Sequence, residues 1–232
     1  MNTKDILNSY QEKKAKQRRF WIIFIFVVIT FLVINLVLHY IIFPVKQKSI
    51  SMLPDIPQES VIMTSPLSTN YGRGDIVVMD SLTHKDESVM HKVLNVFTSF
   101  FTGRQINLDE DAEVPGSKQK LRRVVGLPGD TIYMRDYVLY VKPWGEKHFL
   151  TEFEVADNPY NVTFYVAPAN WDSSIGAKGS FDEFVLGDDE YFVLADNRKS
   201  TDDSRLWGPV TKEQISSKAL FCYFPFNEIK LF

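Results

Sequence analysis

The chain has 232 residues, 45% of them hydrophobic and 24% charged, with 11 Gly, 11 Pro and a single Cys. Those proportions exclude a collagen-like, low-complexity or acidic disordered chain, and one Cys (Cys222) excludes an intrachain disulfide framework and a cysteine-built zinc site. The formal net charge of −3 is unevenly spread: residues 1–19 hold six Lys/Arg against Asp5 and Glu12, so the remainder is distinctly acidic.

Residues 1–19 form a basic tail. Phe20 to Phe43 follow as 24 residues without a Lys, Arg, Asp or Glu. As a helix that run would be about 36 Å long, enough to cross a hydrocarbon core of roughly 30 Å. It is too long, and too uniformly apolar, for a cleavable leader or a core helix, so 20–43 is expected to be a transmembrane anchor. Lys13, Lys14, Lys16, Arg18 and Arg19 precede it, against only Lys46 and Lys48 close behind. That bias places the amino-terminus in the cytoplasm and sends residues from about 44 onward across the membrane.

Residues 44–232 are expected to form one exported domain. Its apolar residues come in short runs: Val61–Met63, Ile76–Met79, Val124–Val125, Ile132–Met134, Val138–Val141, Tyr191–Leu194 and Ala219–Phe224. Residues 131–141 read as a hairpin turning at Arg135-Asp136. The fold class is mainly β behind an amino-terminal helix. Two stretches read as insertions. One, about 93–120, carries Phe97, Phe100 and Phe101 and then an acidic run; the other is 143–183, rich in aromatic and turn residues. Both are expected to be surface loops, with a bilayer-dipping role for the three Phe as the alternative. Asn161-Val162-Thr163 is a glycosylation sequon by pattern only. Four scattered His suggest no metal, no cofactor is called for, and no nucleic-acid partner is expected.

Three segments carry chemistry. Ser49-Ile50-Ser51-Met52-Leu53-Pro54 puts two hydroxyls on one face if the segment is extended. Arg122-Arg123-Val124-Val125-Gly126-Leu127-Pro128-Gly129-Asp130 runs into a turn, with Pro fixing one φ and Gly supplying a positive one. Residues 195–208, ADNRKSTDDSRLWG, mix turn formers with Asp203 and Arg205, two apart and able to pair.

In this order behind an anchor, the segments resemble the type I signal peptidases, membrane-bound serine endopeptidases that remove leader sequences from exported proteins. SISMLP matches the family's S-x-S-M-x-P. RRVVGLPGD matches K-R-V-x-G-x-P-G-D except at its first residue. ADNRKSTDDSRLWG matches the late motif with changes at the first residue and at a serine. Gly72 to Val78 fits the R-G-D-I-V-V strand. The resemblance implies a coiled β-sheet peptidase domain with an inserted subdomain, and substrates with small side chains at the first and third positions before the cut. It makes Ser51 the nucleophile and Ser49 an oxyanion partner of the Ser51 N–H. Thr201 stands for the serine that orients the base, and Asp203 and Arg205 for the pair that stiffens the loop.

The family's base is a neutral Lys amine, and its position here holds Arg122. A guanidinium keeps its proton at working pH and cannot take one from Ser51. Ala195, replacing a glycine, adds a methyl nearby. Lys120 is one alternative base, two residues upstream and on the same strand face. His91 is the other: Val89 to Val93 resembles the His-containing segment of the endoplasmic-reticulum branch of the family. The third possibility is no base at all. The function expected is signal-peptide removal at the outer face of the cytoplasmic membrane. The alternative is an impaired relative that binds exported or pilus-type subunits and assists assembly. A weaker third reading is a membrane-tethered β adaptor. The expected partners are signal-peptide-bearing proteins and the lipid bilayer.

Overall fold

The structure is a computed structural model that describes residues 3–79, 120–166, 177–200 and 202–232. A single helix, α1 (Thr3–Tyr40), takes in the basic tail and almost all of the apolar run. Its Lys13–Leu38 section is long and apolar enough to cross a membrane, and only 6% of its most apolar window is buried. Asn35 is tolerated because its Nδ2 donates to the Phe31 carbonyl one turn back, at 2.8 Å. The helix stops before the end of the expected anchor. The Ser65 hydroxyl caps the Ile41 carbonyl at 2.7 Å, and Phe43, buried at 1% exposure, already opens a strand.

Twelve strands follow among the described residues. They are β1 (Phe43–Lys46), β2 (Val61–Ser65), β3 (Ile76–Met79), β4 (Lys120–Gly126), β5 (Thr131–Arg135), β6 (Val138–Lys142), β7 (Leu150–Thr151), β8 (Phe181–Val185), β9 (Glu190–Leu194), β10 (Val210–Thr211), β11 (Ile215–Phe224) and β12 (Lys230–Leu231). The large sheet runs β1-β2-β11-β3-β4-β9-β10, with β12 added to β11; the small one runs β7-β6-β5-β8. Every pairing between named strands is antiparallel. Register shifts in β11 and in β4 curl the large sheet, since a bulge bends its strand and increases the twist. A mainly β domain behind one long apolar helix is therefore the observed class.

The small sheet is contributed by the chain between β4 and β9, so it is an insertion into the large one. It starts at β5, before the expected 143, and ends with β8 at 185. Of the expected 93–120 stretch, only Lys120 is described, and it opens β4 rather than closing a loop; Phe97, Phe100 and Phe101 lie outside the described residues. The hairpin of β5 and β6 turns at Asp136-Tyr137, one residue later than expected. Both have positive φ, 49° and 66°, as a tight two-residue turn between right-twisted strands demands.

Three apolar clusters hold the domain. One joins Met52 and Ile56 to Ile62, Ile76, Val78, Leu121, Ala219 and Cys222. A second lies around Tyr71, Val77, Val124 and Val193. The third fills the space between the sheets with Val125, Phe192 and Leu194 from one and Ile132, Met134, Leu139 and Val141 from the other. There the sheets approach closely at Gly126, where an added Cβ would come within 2.8 Å of Leu186, the residue after β8, and within 3.0 Å of Phe192 on the neighbouring strand of its own sheet. Central β4 is buried from Leu121 to Gly126 although it contains two arginines. That burial is tolerable only because each guanidinium finds oxygen partners.

Candidate active site

The segment carrying Ser51 is not extended. Beyond β1, Gln47 still pairs with the β2 side through Gln47 N→Ser60 O (2.8 Å) and Glu59 N→Gln47 O (2.7 Å). Residues 51–55 then form turns, closed by Ile56 N→Met52 O at 2.8 Å. Met52 and Ile56 plug this excursion into the first apolar cluster, and burying each stabilises the turn by about 1.5–3 kcal/mol. The alternation argument thus reached the right neighbours through the wrong local shape. The Ser49 and Ser51 hydroxyl oxygens lie 2.9 Å apart, and the Ser51 N–H points at Ser49 Oγ at 3.4 Å.

The late segment closes over this turn. Asn197 N donates to Ser51 O at 2.9 Å, and Asn197 Nδ2 to Ile50 O at 3.3 Å. Asp203 caps the short helix α2 (Ser204–Trp207), is fully buried, and accepts from Ala195 N at 3.1 Å. Arg205 grips both Asp203 oxygens at 2.9 and 2.7 Å and donates to the Arg198 and Ser200 carbonyls. Burial alone would raise the Asp203 carboxyl; the Arg205 charge and its hydrogen bonds outweigh that and hold it below the ordinary range. Asp203 and Arg205 are thus paired and lace the loop together. Ala195 is fully buried beside them. Thr201 and His91 lie outside the described residues.

Arg122 reaches the hydroxyls from β4. Its Nη1 donates to Ser51 Oγ at 3.0 Å and to Leu121 O at 2.5 Å, while Nε and Nη2 donate to Asp202 O at 2.8 and 2.5 Å. Only 2% of Arg122 is exposed. That burial lowers its pKa to about 10, against the pull of the nearby Asp203 carboxylate. At pH 7 the neutral form is still only about one molecule in a thousand. Arg122 is a donor to Ser51, not an acceptor. Lys120 shares the strand face, as expected, but its ammonium pairs with the Asp202 carboxylate, 5.9 Å from the Trp207 ring centre.

A fourth side chain was not singled out from the sequence. Gln47, 4% exposed, directs Nε2 at Ser51 Oγ (3.2 Å) and at Ser49 Oγ (3.3 Å). The alternation that pairs Ser49 with Ser51 reaches Gln47 when carried two residues further back, which is the signal that could have found it.

Hydrogen-bond accounting fixes where the Ser51 proton points. A hydroxyl has two acceptor positions and one hydrogen. Arg122 and Gln47 can only donate from the nitrogens that face Ser51 Oγ, so its own hydrogen goes to Ser49 Oγ. Ser51 is buried at 4% exposure, whereas Lys48, Ser49 and Ile50 are exposed.

A family model described as signal peptidase, peptidase S26, matches residues 18–224. Signal peptidase I of Bacillus licheniformis is 30% identical over 156 residues, 66% of this chain and 75% of its own length. Signal peptidase I S of Bacillus subtilis is 34% identical over 111 residues, 47% of this chain and 54% of that one. Signal peptidase IB of Staphylococcus aureus is 33% identical over 116 residues, 47% and 56% of the two chains. The relatives are peptidases, which does not favour the assembly reading. With its apolar amino-terminal helix and a match that spans nearly all of its length, the chain belongs to the signal peptidase family, whose membrane-anchored serine endopeptidases remove signal peptides.

Proposed function

We propose that this chain cleaves signal peptides with Ser51 as nucleophile, its amino-terminus in the cytoplasm and its β domain on the exported side. The observation that carries the assignment is the convergence of Ser49 Oγ at 2.9 Å and Arg122 Nη1 at 3.0 Å on one serine oxygen. The basic residues 13–19 ahead of the apolar run support the orientation. At most about 40 Å of extended chain separates Tyr40, the end of α1, from Ser51, which keeps the serine near the end of a membrane-embedded leader. The exposed Lys48–Ile50 side is where the leader approaches, because the opposite side is closed by β4 and the late loop.

In the reaction, Ser51 Oγ bonds to the scissile carbonyl carbon and the C=O π pair moves onto the carbonyl oxygen. The Ser51 N–H and the Ser49 hydroxyl stabilise that charge. Cationic Arg122 stabilises the developing alkoxide and lowers the energy needed to form it. The proton leaves along its existing hydrogen bond to Ser49 Oγ as exposed Ser49 passes its own hydrogen to solvent water or hydroxide, and with the hydrogen it has received Ser49 donates to the oxyanion. The C–N bond then breaks, the departing amine takes a proton from solvent, and water hydrolyses the Ser51 ester. Asp203 and Arg205 hold the loop that fixes Asn197 on the Ser51 turn.

The test uses the full chain in detergent or lipid vesicles with a leader-bearing precursor, and mass spectrometry of the released mature protein. Cleavage that Ser51→Ala abolishes is expected. Equal cleavage by wild type and Ser51→Ala, or none between pH 7 and 10, overturns the assignment. For the orientation, protease added outside intact spheroplasts should digest residues 44–232; their protection overturns it.

A further inference from the structure

We infer that Gln47 is a third donor of the reaction centre, a catalytic residue whose carboxamide passes from the Ser51 oxygen to the oxyanion. The inference rests on Ser51 being the nucleophile and goes beyond it.

Position supplies the first part of the argument. A tetrahedral intermediate places its oxyanion one carbon away from the serine oxygen, so a donor within about 3 Å of Oγ is also within reach of that charge. Gln47 Nε2 is 3.2 Å from Ser51 Oγ and 3.3 Å from Ser49 Oγ, between the two groups already assigned to the site. Rigidity supplies the second. The Gln47 backbone is held on both sides by Ser60 and Glu59 as an extension of the β1–β2 ladder, and its side chain is buried. The amide is therefore oriented before substrate arrives, which is what makes such a donor effective.

Electron accounting supplies the third. Both acceptor positions of Ser51 Oγ are filled, one by Arg122 and one by Gln47. Attack uses one lone pair in the new O–C bond, and the pair that loss of the proton returns points toward Ser49, so the donor on the attacking pair must shift. Arg122 is fixed by three further bonds to carbonyl oxygens. Gln47 makes the longer bond to Ser51 and its other contact from Nε2 is to the Ser49 hydroxyl, so it is the donor that shifts, by no more than the step from the serine oxygen to the carbonyl oxygen on the same carbon. As the lone pair is used, its N–H falls on the carbonyl oxygen, where the negative charge has moved. Its hydrogen bond is then stronger in the transition state than before it, which is the condition for raising turnover rather than affinity.

The test compares wild type, Gln47→Met, Ser49→Ala, the double variant and Ser51→Ala on a leader-bearing precursor. Thermal unfolding serves as the check on folding. Gln47→Met keeps the length and removes the donor. It should lower kcat about 10–100-fold with KM within about twofold, and do so again in the Ser49→Ala background. A leader-peptide aldehyde, whose carbon accepts Ser51 Oγ to give a hemiacetal, should lose affinity for Gln47→Met by a similar factor. An uncleavable leader peptide without the aldehyde should bind both proteins equally.

Ser51-dependent cleavage that Gln47→Met leaves unchanged overturns the assignment of Gln47 alone. So does a loss that vanishes in the Ser49→Ala background, which would make Gln47 only a prop for Ser49, or a fall in unfolding midpoint that accounts for the lost activity. Cleavage that survives Ser51→Ala overturns the reading of the nucleophile and this inference with it.

Discussion

Arg122 and Arg123 are adjacent on one buried strand, and their surroundings could hardly differ more. Successive strand side chains point to opposite faces. Arg123 turns toward Asp196, which it grips through Nε and Nη2 at 2.8 and 2.6 Å, toward Asp55 at 3.0 Å and toward Gly74 O at 2.7 Å, with the Tyr160 ring 4.2 Å away. Burial alone would lower its pKa, but the Asp196 charge, their hydrogen bond and Asp55 hold it above the ordinary value. Arg122 turns the other way, where its hydrogen bonds among the described residues go to carbonyl oxygens and one hydroxyl, with the Trp207 ring centre 5.8 Å away. Burial wins there and lowers its pKa to about 10. A cation matched by carboxylates is architecture. A cation buried against a serine oxygen has electrostatic capacity left for a developing negative charge.

Breaking each arginine in turn tests that contrast. The largest effect should come from Arg123→Met. It strands the Asp196 carboxylate in the interior, while Asp55 keeps Lys230 at 3.2 Å, and should cost about 3–5 kcal/mol in urea unfolding. Arg122→Met should move the same transition by less than about 1 kcal/mol. A cation whose native pKa is lowered costs stability wherever it is protonated, at every pH below about 10. Removing it relieves that cost and offsets the hydrogen bonds lost to Asp202. Equal destabilisation by the two variants would erase the distinction.

Activity should sort the other way. Arg122→Lys installs an amine that burial can deprotonate, and should raise kcat at pH 7 about a hundredfold. Arg122→Met should lower it about 10–100-fold, without abolishing it, as one charged hydrogen bond to the reacting oxygen is lost. An Arg122→Lys enzyme no faster than wild type would show that the missing base does not limit turnover. In wild type, kcat should climb about tenfold per pH unit, because solvent accepts the proton, and bend near pH 10 as Arg122 loses its charge. A flat profile from pH 7 to 9 would point to a side-chain base instead. The smallest effect should come from Lys120→Ala, within about threefold, whereas loss of activity in His91→Ala would make His91 the base. For Lys120 the reason is that a partly exposed ion pair such as its bond to Asp202 contributes little.

The sequence made the turns and the spanning helix legible because each depends on local chemistry. At Leu127–Asp130, Pro128 and Gly129 (φ 79°) form the expected turn, and Asp130 Oδ2 accepts from Leu127 N at 2.8 Å. Arg73 then pairs with Asp130 at 2.6 Å, tying the R-G-D segment to that turn, and nothing in the spacing of the two announced it. The ends of the anchor were less legible. Phe43 is apolar enough for a membrane, yet it is a strand residue paired with Thr64. The edge pieces β7, β10 and β12, two residues each, are too short for any periodicity to register.

What the sequence determined alone was the class of molecule: a run of 24 residues without a Lys, Arg, Asp or Glu, most of them apolar, must leave water, and the ordered motifs fix the family. What only the tertiary structure decided was the state of the site. Whether Arg122 is a surface charge, half of an ion pair or a buried donor depends on which oxygens lie within 3 Å of it. Those oxygens come from residues 51, 121 and 202, which β4 and the late loop bring together. Protonation and hydrogen-bond direction follow from distances across the fold. A linear sequence contains no such distances.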